Sequence, residues 1–189
     1  MKQRDHRALA YYLLDCAGDK LLWKRKWHRR VFLFGCICPD YIPLTYLRGF
    51  AKSRAMHGHH AAYSGAHIRK SIKRLQEHGV WHVRDCFRLG TLMHYLADSF
   101  TYPHSASFQG DMRMHRQYEK DLHGCFAQYL QNGLADASLC TQIEEGLTSY
   151  ISRIRREYSR RAGSPECDCQ QIVRSCSSIF CALCEKSAR

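Results

Sequence analysis

His94 and Asp98 in "HYLADSF", and His115 and Glu119 in "HRQYE", are two pairs of metal-ligating side chains, each four residues apart, with Pro103-His104 between them. On a helix, residues four apart lie one turn apart on the same face, so each pair aims an imidazole and a carboxylate at a common point. Zinc accepts imidazole nitrogen and carboxylate oxygen together, and a catalytic zinc keeps a position open for water. One such pair is ordinary as a hydrogen-bonded or solvated pair. Two pairs, with a histidine held in the turn between them, describe a cluster able to close around an ion.

The elements that must position these residues can be read from the apolar spacing. Leu89, Leu92, Met93, Leu96 and Phe100 form one stripe of a helix, and His94 and Asp98 point to roughly the opposite side, flanked by Phe87 and Tyr95. That helix is expected to be central, with packing on one side and a polar cluster on the other. In the next helix Tyr118, Leu122, Cys125, Phe126 and Tyr129 face inward, and His115 and Glu119 continue the same stripe. A carboxylate at a core position is costly without a partner, and a metal ion is one partner that removes the cost. His6 opens a stripe continued by Leu9, Ala10, Leu13 and Leu14, another polar group at an apolar position. Asp40, after Pro39 in "CPDY", reads by itself as a turn residue.

Nearly every periodic segment of the 189-residue chain has helical spacing. Helices are expected at about 4–16, 20–34, 66–79, 84–101, 111–132, 137–160 and 168–186, which makes the fold class all-α. The stretches "GCICPDYIPLTYLRGF" and "KSRAMHGHHAAYSG" read as irregular connections. No repeat or linker divides the chain, so residues 1–189 are expected to form one domain. No apolar run approaches the roughly 18 residues of a membrane span. The start, "MKQRDHRALAYYLLDCAG", reads as an amphipathic helix rather than an export signal, so a cytoplasmic location is expected.

Lys and Arg number 29 against 17 Asp and Glu, a formal charge of +12, which biases the surface toward phosphate-bearing partners. Eleven scattered cysteines, an odd number, argue against a complete disulfide framework. In the tail "CDCQQIVRSCSSIFCALC", Cys181 and Cys184 have a metal-ligand spacing, but Cys169, Ile172, Cys176, Ile179, Phe180 and Leu183 form a helical stripe. That stripe makes Cys169 and Cys176 core residues.

Taken together, "DHRALAYYL", "FGCICPDYIPLTYLRG", "MHGHH", "HYLADSFTYPH" and "HRQYE" resemble, in order and spacing, the zinc-dependent phospholipase C family. The resemblance covers about residues 6 to 126 and is most specific from His94 to Glu119. The zinc-dependent single-strand nucleases are similar in fold and ligand order. The resemblance implies an all-α domain holding two or three zinc ions. It implies that Asp40, His59, His94 and Asp98 bind one zinc, with Asp98 bridging to a second, and that His104, His115 and Glu119 bind another. His6 would serve the site bridged by Asp98, and His57 and His60 are alternatives to His59. In secreted relatives the processed N-terminal residue completes one zinc site, and here Met1 stands five residues before His6, a departure from that pattern.

The implied activity is hydrolysis of a phosphodiester, with Asp40 both ligand and general base. Phospholipid headgroups are the expected substrate, with peripheral contact to an anionic membrane surface; nucleic acid is the alternative. Arg48, Lys52, Arg54, Arg69 and Lys70 could attract either phosphate, and Tyr41, Tyr46, Phe50 and Tyr63 could line a cation pocket or stack on bases. A different class of reading is a non-catalytic protein that uses zinc for folding alone.

Overall fold

The structure, a computed structural model, describes residues 1–18, 21–41, 61–79, 82–105, 107–133 and 143–185. Those residues form α1 (Gln3–Cys16), α2 (Leu21–Lys24), α3 (Lys26–Tyr41), α4 (Ala61–His78), α5 (Val83–Asp98), a 3-10 turn (Tyr102–His104), α6 (Met112–Gly133), α7 (Leu147–Ser159) and α8 (Pro165–Glu185). No strand occurs among the described residues, and the fold is all-α.

Helix α5 runs through the middle of the molecule, touching α1, α3, α4 and α8. Its start is set by Asp85, whose carboxylate accepts the His82 backbone N–H at 3.2 Å and pairs with Arg88 at 3.1 Å. Its end is set by hydroxyls that turn back: Ser99 donates to the Leu96 carbonyl and Thr101 to the Asp98 carbonyl, both at 2.7 Å. Pro103 then sits in the 3-10 turn, where an absent N–H is harmless. Leu89, Leu92, Met93, Leu96 and Phe100 are all buried, as their spacing requires.

The closest helix pair is α3 against α5, and two glycines make it possible. A Cβ on Gly35 would stand 2.5 Å from the Phe87 carbonyl oxygen, and one on Gly90 would stand 2.3 Å from that of Phe32. This approach also corrects the reading of "GCICPDY" as an irregular connection. Helix α3 continues through Gly35 and Pro39 to Tyr41, since Gly35 is a packing contact rather than a stop. Pro39 falls in the last turn, where it forfeits a single bond to the Gly35 carbonyl.

Other boundaries shift for local reasons. The helix expected over 20–34 breaks at Arg25, between α2 and α3. Residues 61–65, expected to be irregular, belong to α4, which ends at Gly79 in a left-handed conformation (φ 70°). The helix expected from 137 begins only at Leu147, because Gly146 caps it with extended backbone and residues 143–146 are not helical; residues 137–142 lie outside the described residues.

Helix α8 closes the bundle. Cys169, Ile172, Cys176, Ile179, Phe180 and Leu183 are buried as their stripe predicts, with Phe180 against Trp23 and Phe32. At its first turn stands Asp168, fully buried and accepting three hydrogen bonds: from the Tyr102 N–H (2.8 Å), the Tyr118 hydroxyl (2.8 Å) and the Tyr158 hydroxyl (2.6 Å). One carboxylate thus ties α6, α7 and α8 to the turn that carries His104.

Gly90→Ala should lower the unfolding free energy by about 1–3 kcal/mol through overpacking, whereas Gly124→Ala in α6, where a Cβ meets nothing within 4 Å, should raise it by about 0.5–1 kcal/mol. Urea denaturation of both variants measures the difference. Asp168→Asn, which keeps the shape but leaves a buried tyrosine donor unmet, should cost about 1–3 kcal/mol in the same assay.

Candidate metal centre

Four helices and the 3-10 turn deliver polar groups to one place. Helix α5 supplies His94 and Asp98, α1 supplies His6, α3 ends with Asp40, α6 supplies His115 and Glu119, and the turn supplies His104. The backbone amine of Met1, just ahead of α1, reaches the same spot. His94 and Asp98 are buried between α5 and its neighbours, while the side chains of His115 and Glu119 are 22% exposed at the edge.

Asp98 is the hub. Its Oδ1 lies 3.0 Å from the Met1 amine, 3.2 Å from His6 Nε2 and 4.0 Å from His104 Nδ1, and its Oδ2 lies 3.3 Å from His94 Nε2. Asp40 approaches His94 Nε2 from another side at 3.6 Å. Glu119 lies 3.4 Å from His115 Nε2 and 3.3 Å from the Met1 amine. Two donor sets result, each with its ligand atoms within 4.8 Å of one another: His6, His94 and Asp98, fully buried, and His104, His115 and Glu119, half-buried.

The surroundings set the orientation of each ring. His94 Nδ1 donates to the Cys36 carbonyl at 2.8 Å, which leaves Nε2 turned toward Asp40 and Asp98. That carbonyl belongs to the residue after Gly35, so the close α3–α5 approach is what aims His94. The ring of His6 stacks on that of His94 with centroids 3.9 Å apart. His6 is 1% exposed, and neither of its ring nitrogens makes a hydrogen bond; the 3.2 Å approach of Nε2 to Asp98 is close without hydrogen-bond geometry.

Charge in this pocket is tightly coupled. Burial pushes the Asp98 carboxyl up, but the Met1 amine, His6 and His94 outweigh it and hold it well below the usual range. Burial likewise opposes ionisation of Glu119, yet His115 and the Met1 amine bring it down to about 2. The Met1 amine is held up at about 10, the two carboxylates overcoming its burial. Of the two stacked imidazoles, His6 is driven down to about 3 by burial and by His94, while His94 is held above its ordinary value by Asp98 against its own burial.

These residues fit a metal. A buried imidazole with no hydrogen bond costs on the order of 1–3 kcal/mol, and coordination to a cation removes that cost. The donors are the nitrogen and oxygen types that zinc takes. Among the expected ligands, His6, Asp40, His94, Asp98, His104, His115 and Glu119 converge, and His59, with its alternatives His57 and His60, lies outside the described residues. Among the described residues the tail cysteines form no comparable group.

Met1, set aside above as a departure from the family pattern, brings its amine to the cluster all the same. Two further contributors were not anticipated, the Cys36 carbonyl, which is backbone, and Asp5. Asp5, which accepts the Lys2 N–H at 3.1 Å and pairs with His123 of α6, fixes the start of α1 and hence Met1. Asp5 at the third position of a helix was a legible capping signal; its partner His123 was not. Of the basic and aromatic residues considered for substrate, Arg69 and Lys70 are exposed on α4 and Tyr41 is exposed at the end of α3, while Arg48, Lys52, Arg54, Tyr46 and Phe50 lie outside the described residues and the Tyr63 side chain is not described.

Comparison with curated proteins and with solved structures gave no match. A family model described as zinc dependent phospholipase C does match, over residues 5–165, a span that contains every expected metal ligand. With that span and with the helical fold around the His and carboxylate cluster, the chain belongs to the zinc-dependent phospholipase C family.

Proposed function

We propose that the protein is a zinc-dependent phosphodiester hydrolase acting on phospholipid headgroups. The observation that carries this reading is the position of Asp98, whose two oxygens are shared between His6, His94, His104 and the Met1 amine. A carboxylate so placed suits a bridge between two cations better than a ligand to one.

In this reading His6, His94, Asp98 and Asp40 would hold one ion, and His104, His115 and Glu119 would hold another. His59 and the Met1 amine are further donors, so the expected content is two or three zinc ions. When bound, zinc supplies Lewis acidity that lowers the pKa of water toward neutrality and offsets negative charge on the phosphoryl group.

The chain's own residues do the rest. The Cys36 carbonyl holds His94 Nδ1, so that Nε2 is the nitrogen a metal would take. Burial pushes the Asp40 carboxyl up, His94 drawing it partly back, which makes Asp40 a stronger base than a solvated aspartate. Placed at the partly open rim of the cluster, with its side chain 24% exposed, Asp40 is the residue to orient an attacking water and take its proton. The half-buried His104, His115 and Glu119 face the side from which a substrate can enter.

Purified protein reconstituted with zinc should contain two or three zinc ions per chain by elemental analysis and should release phosphorylated headgroups from phospholipid vesicles. Asp98→Asn should retain the helical circular dichroism spectrum but lose more than about 100-fold in kcat/KM, beyond what loss of a supporting partner costs. Release of nucleotides from single-stranded DNA with intact phospholipid would select the nuclease alternative. Zinc binding with no hydrolysis of any phosphodiester, and with helicity lost on chelation, would select the purely structural role.

A further inference from the structure

Helix α3 has an unusual outer face. Phe32, Gly35, Cys36 and Pro39 turn to the core. At 100° per residue, Trp27, Arg30, Phe34, Ile37 and Tyr41 fall within roughly a quarter of the circumference on the side away from it. A solvent-facing helix stripe is ordinarily charged or polar, yet four of these five are apolar or aromatic. Trp27 is 69% exposed, Phe34 50% and Tyr41 63%. The stripe runs about 21 Å along the helix. It widens onto α5, where Phe87 lies 5.9 Å from the Phe34 ring and Val83 is 43% exposed.

Positive charge gathers at one end of it. Lys24, Arg25, Lys26, Arg29 and Arg30 crowd the N-terminal end, and the Arg30 guanidinium lies 5.6 Å over the Trp27 ring. Arg84 adds charge from the start of α5. The one acid in α2 and α3 is Asp40, which faces His94 rather than the stripe. The far end of the stripe, Tyr41, adjoins Asp40 and so reaches the rim of the metal centre.

We propose that this stripe docks the protein on an anionic lipid bilayer, an inference that rests on the phospholipid reading of the metal centre and adds the surface that brings the site to its substrate. Tryptophan and tyrosine favour the headgroup layer, Phe34, Ile37 and Val83 enter its apolar boundary, and the cations pair with lipid phosphates and carboxylates. A second copy of this chain brings the same net positive charge and is repelled. Single-stranded nucleic acid is held in grooves that track its backbone, whereas this stripe lies along the convex side of a helix and offers phosphates only apolar rings over most of its length.

The test uses the Trp27→Ser/Phe34→Ser double variant, whose changes are on the exposed face, together with Lys26→Glu/Arg30→Glu. Co-sedimentation with vesicles of mixed phosphatidylserine and phosphatidylcholine, against vesicles of phosphatidylcholine alone, reads the binding. Wild type should bind the anionic vesicles about tenfold or more tightly than the neutral ones, with a blue shift of tryptophan emission. The serine variant should lose about tenfold in partitioning while hydrolysing a water-soluble phosphodiester as wild type does, and the glutamate variant should lose the anionic preference.

Equal vesicle partitioning by wild type and the serine variant would overturn the proposal. So would unchanged partitioning accompanied by loss of a wild-type dimer in sedimentation velocity, or by loss of oligonucleotide binding. If the variants lose vesicle binding as expected but zinc-loaded wild type releases no headgroup, the docking surface stands and the phospholipase reading falls.

Discussion

A carboxylate sealed inside a helical bundle must have a cation beside it, and the interior of this protein is organised around meeting that need for Asp98. The side chain is only 4% exposed, and α1, α5 and the Tyr102–His104 turn each bring a nitrogen toward its oxygens. Asp98 and its neighbouring carboxylates in turn make the Met1 amine and the His94 ring hold their protons more strongly than usual. A zinc ion competes for the same carboxylate oxygens and imidazole lone pairs, so metal binding and proton release are coupled in this pocket. His6 sits beside them without a hydrogen bond, and burial keeps it neutral.

Much of the rest of the fold supports this constraint. The Gly35–Gly90 contact lets α3 approach α5 until the Cys36 carbonyl fixes the His94 ring. Asp168 ties the 3-10 turn to α6, α7 and α8, and the turn carries His104. The Asp5–His123 pair joins α1 to α6. Asp168 lies just beyond the span matched by the family model, so the support for the cluster extends past the part of the chain that carries its ligands. A dense set of restraints of this kind is what a multinuclear site requires, since donor atoms displaced by even an ångström lose their common focus.

The sequence displayed the donors more plainly than their supports. His94–Asp98 and His115–Glu119 were legible because helical spacing converts two residue types into one direction, and burial of Leu92, Leu122 and Phe126 confirms the stripes that oriented them. The tail helix was legible for the same reason. The course of α3 was not, because the prolines of "GCICPDYIPL" read locally as breakers, while the Gly35 contact that holds the helix together there comes from a partner helix more than fifty residues away. Nor was the Cys36 carbonyl legible, since backbone groups leave no trace in residue type. The outer stripe of α3 was hidden in part by the same misreading: Tyr41 joins Trp27 and Phe34 on one face only once the helix runs through Pro39.

The most direct measurement of the central claim is diffraction from zinc-grown crystals collected at the zinc absorption edge. The account predicts anomalous peaks on both sides of Asp98, one coordinated by His94 and the other by His115 and Glu119, each about 2.0–2.2 Å from its ligand atoms. A map with no peak near Asp98, and with the Met1 amine still its sole cationic neighbour besides histidine, would contradict it.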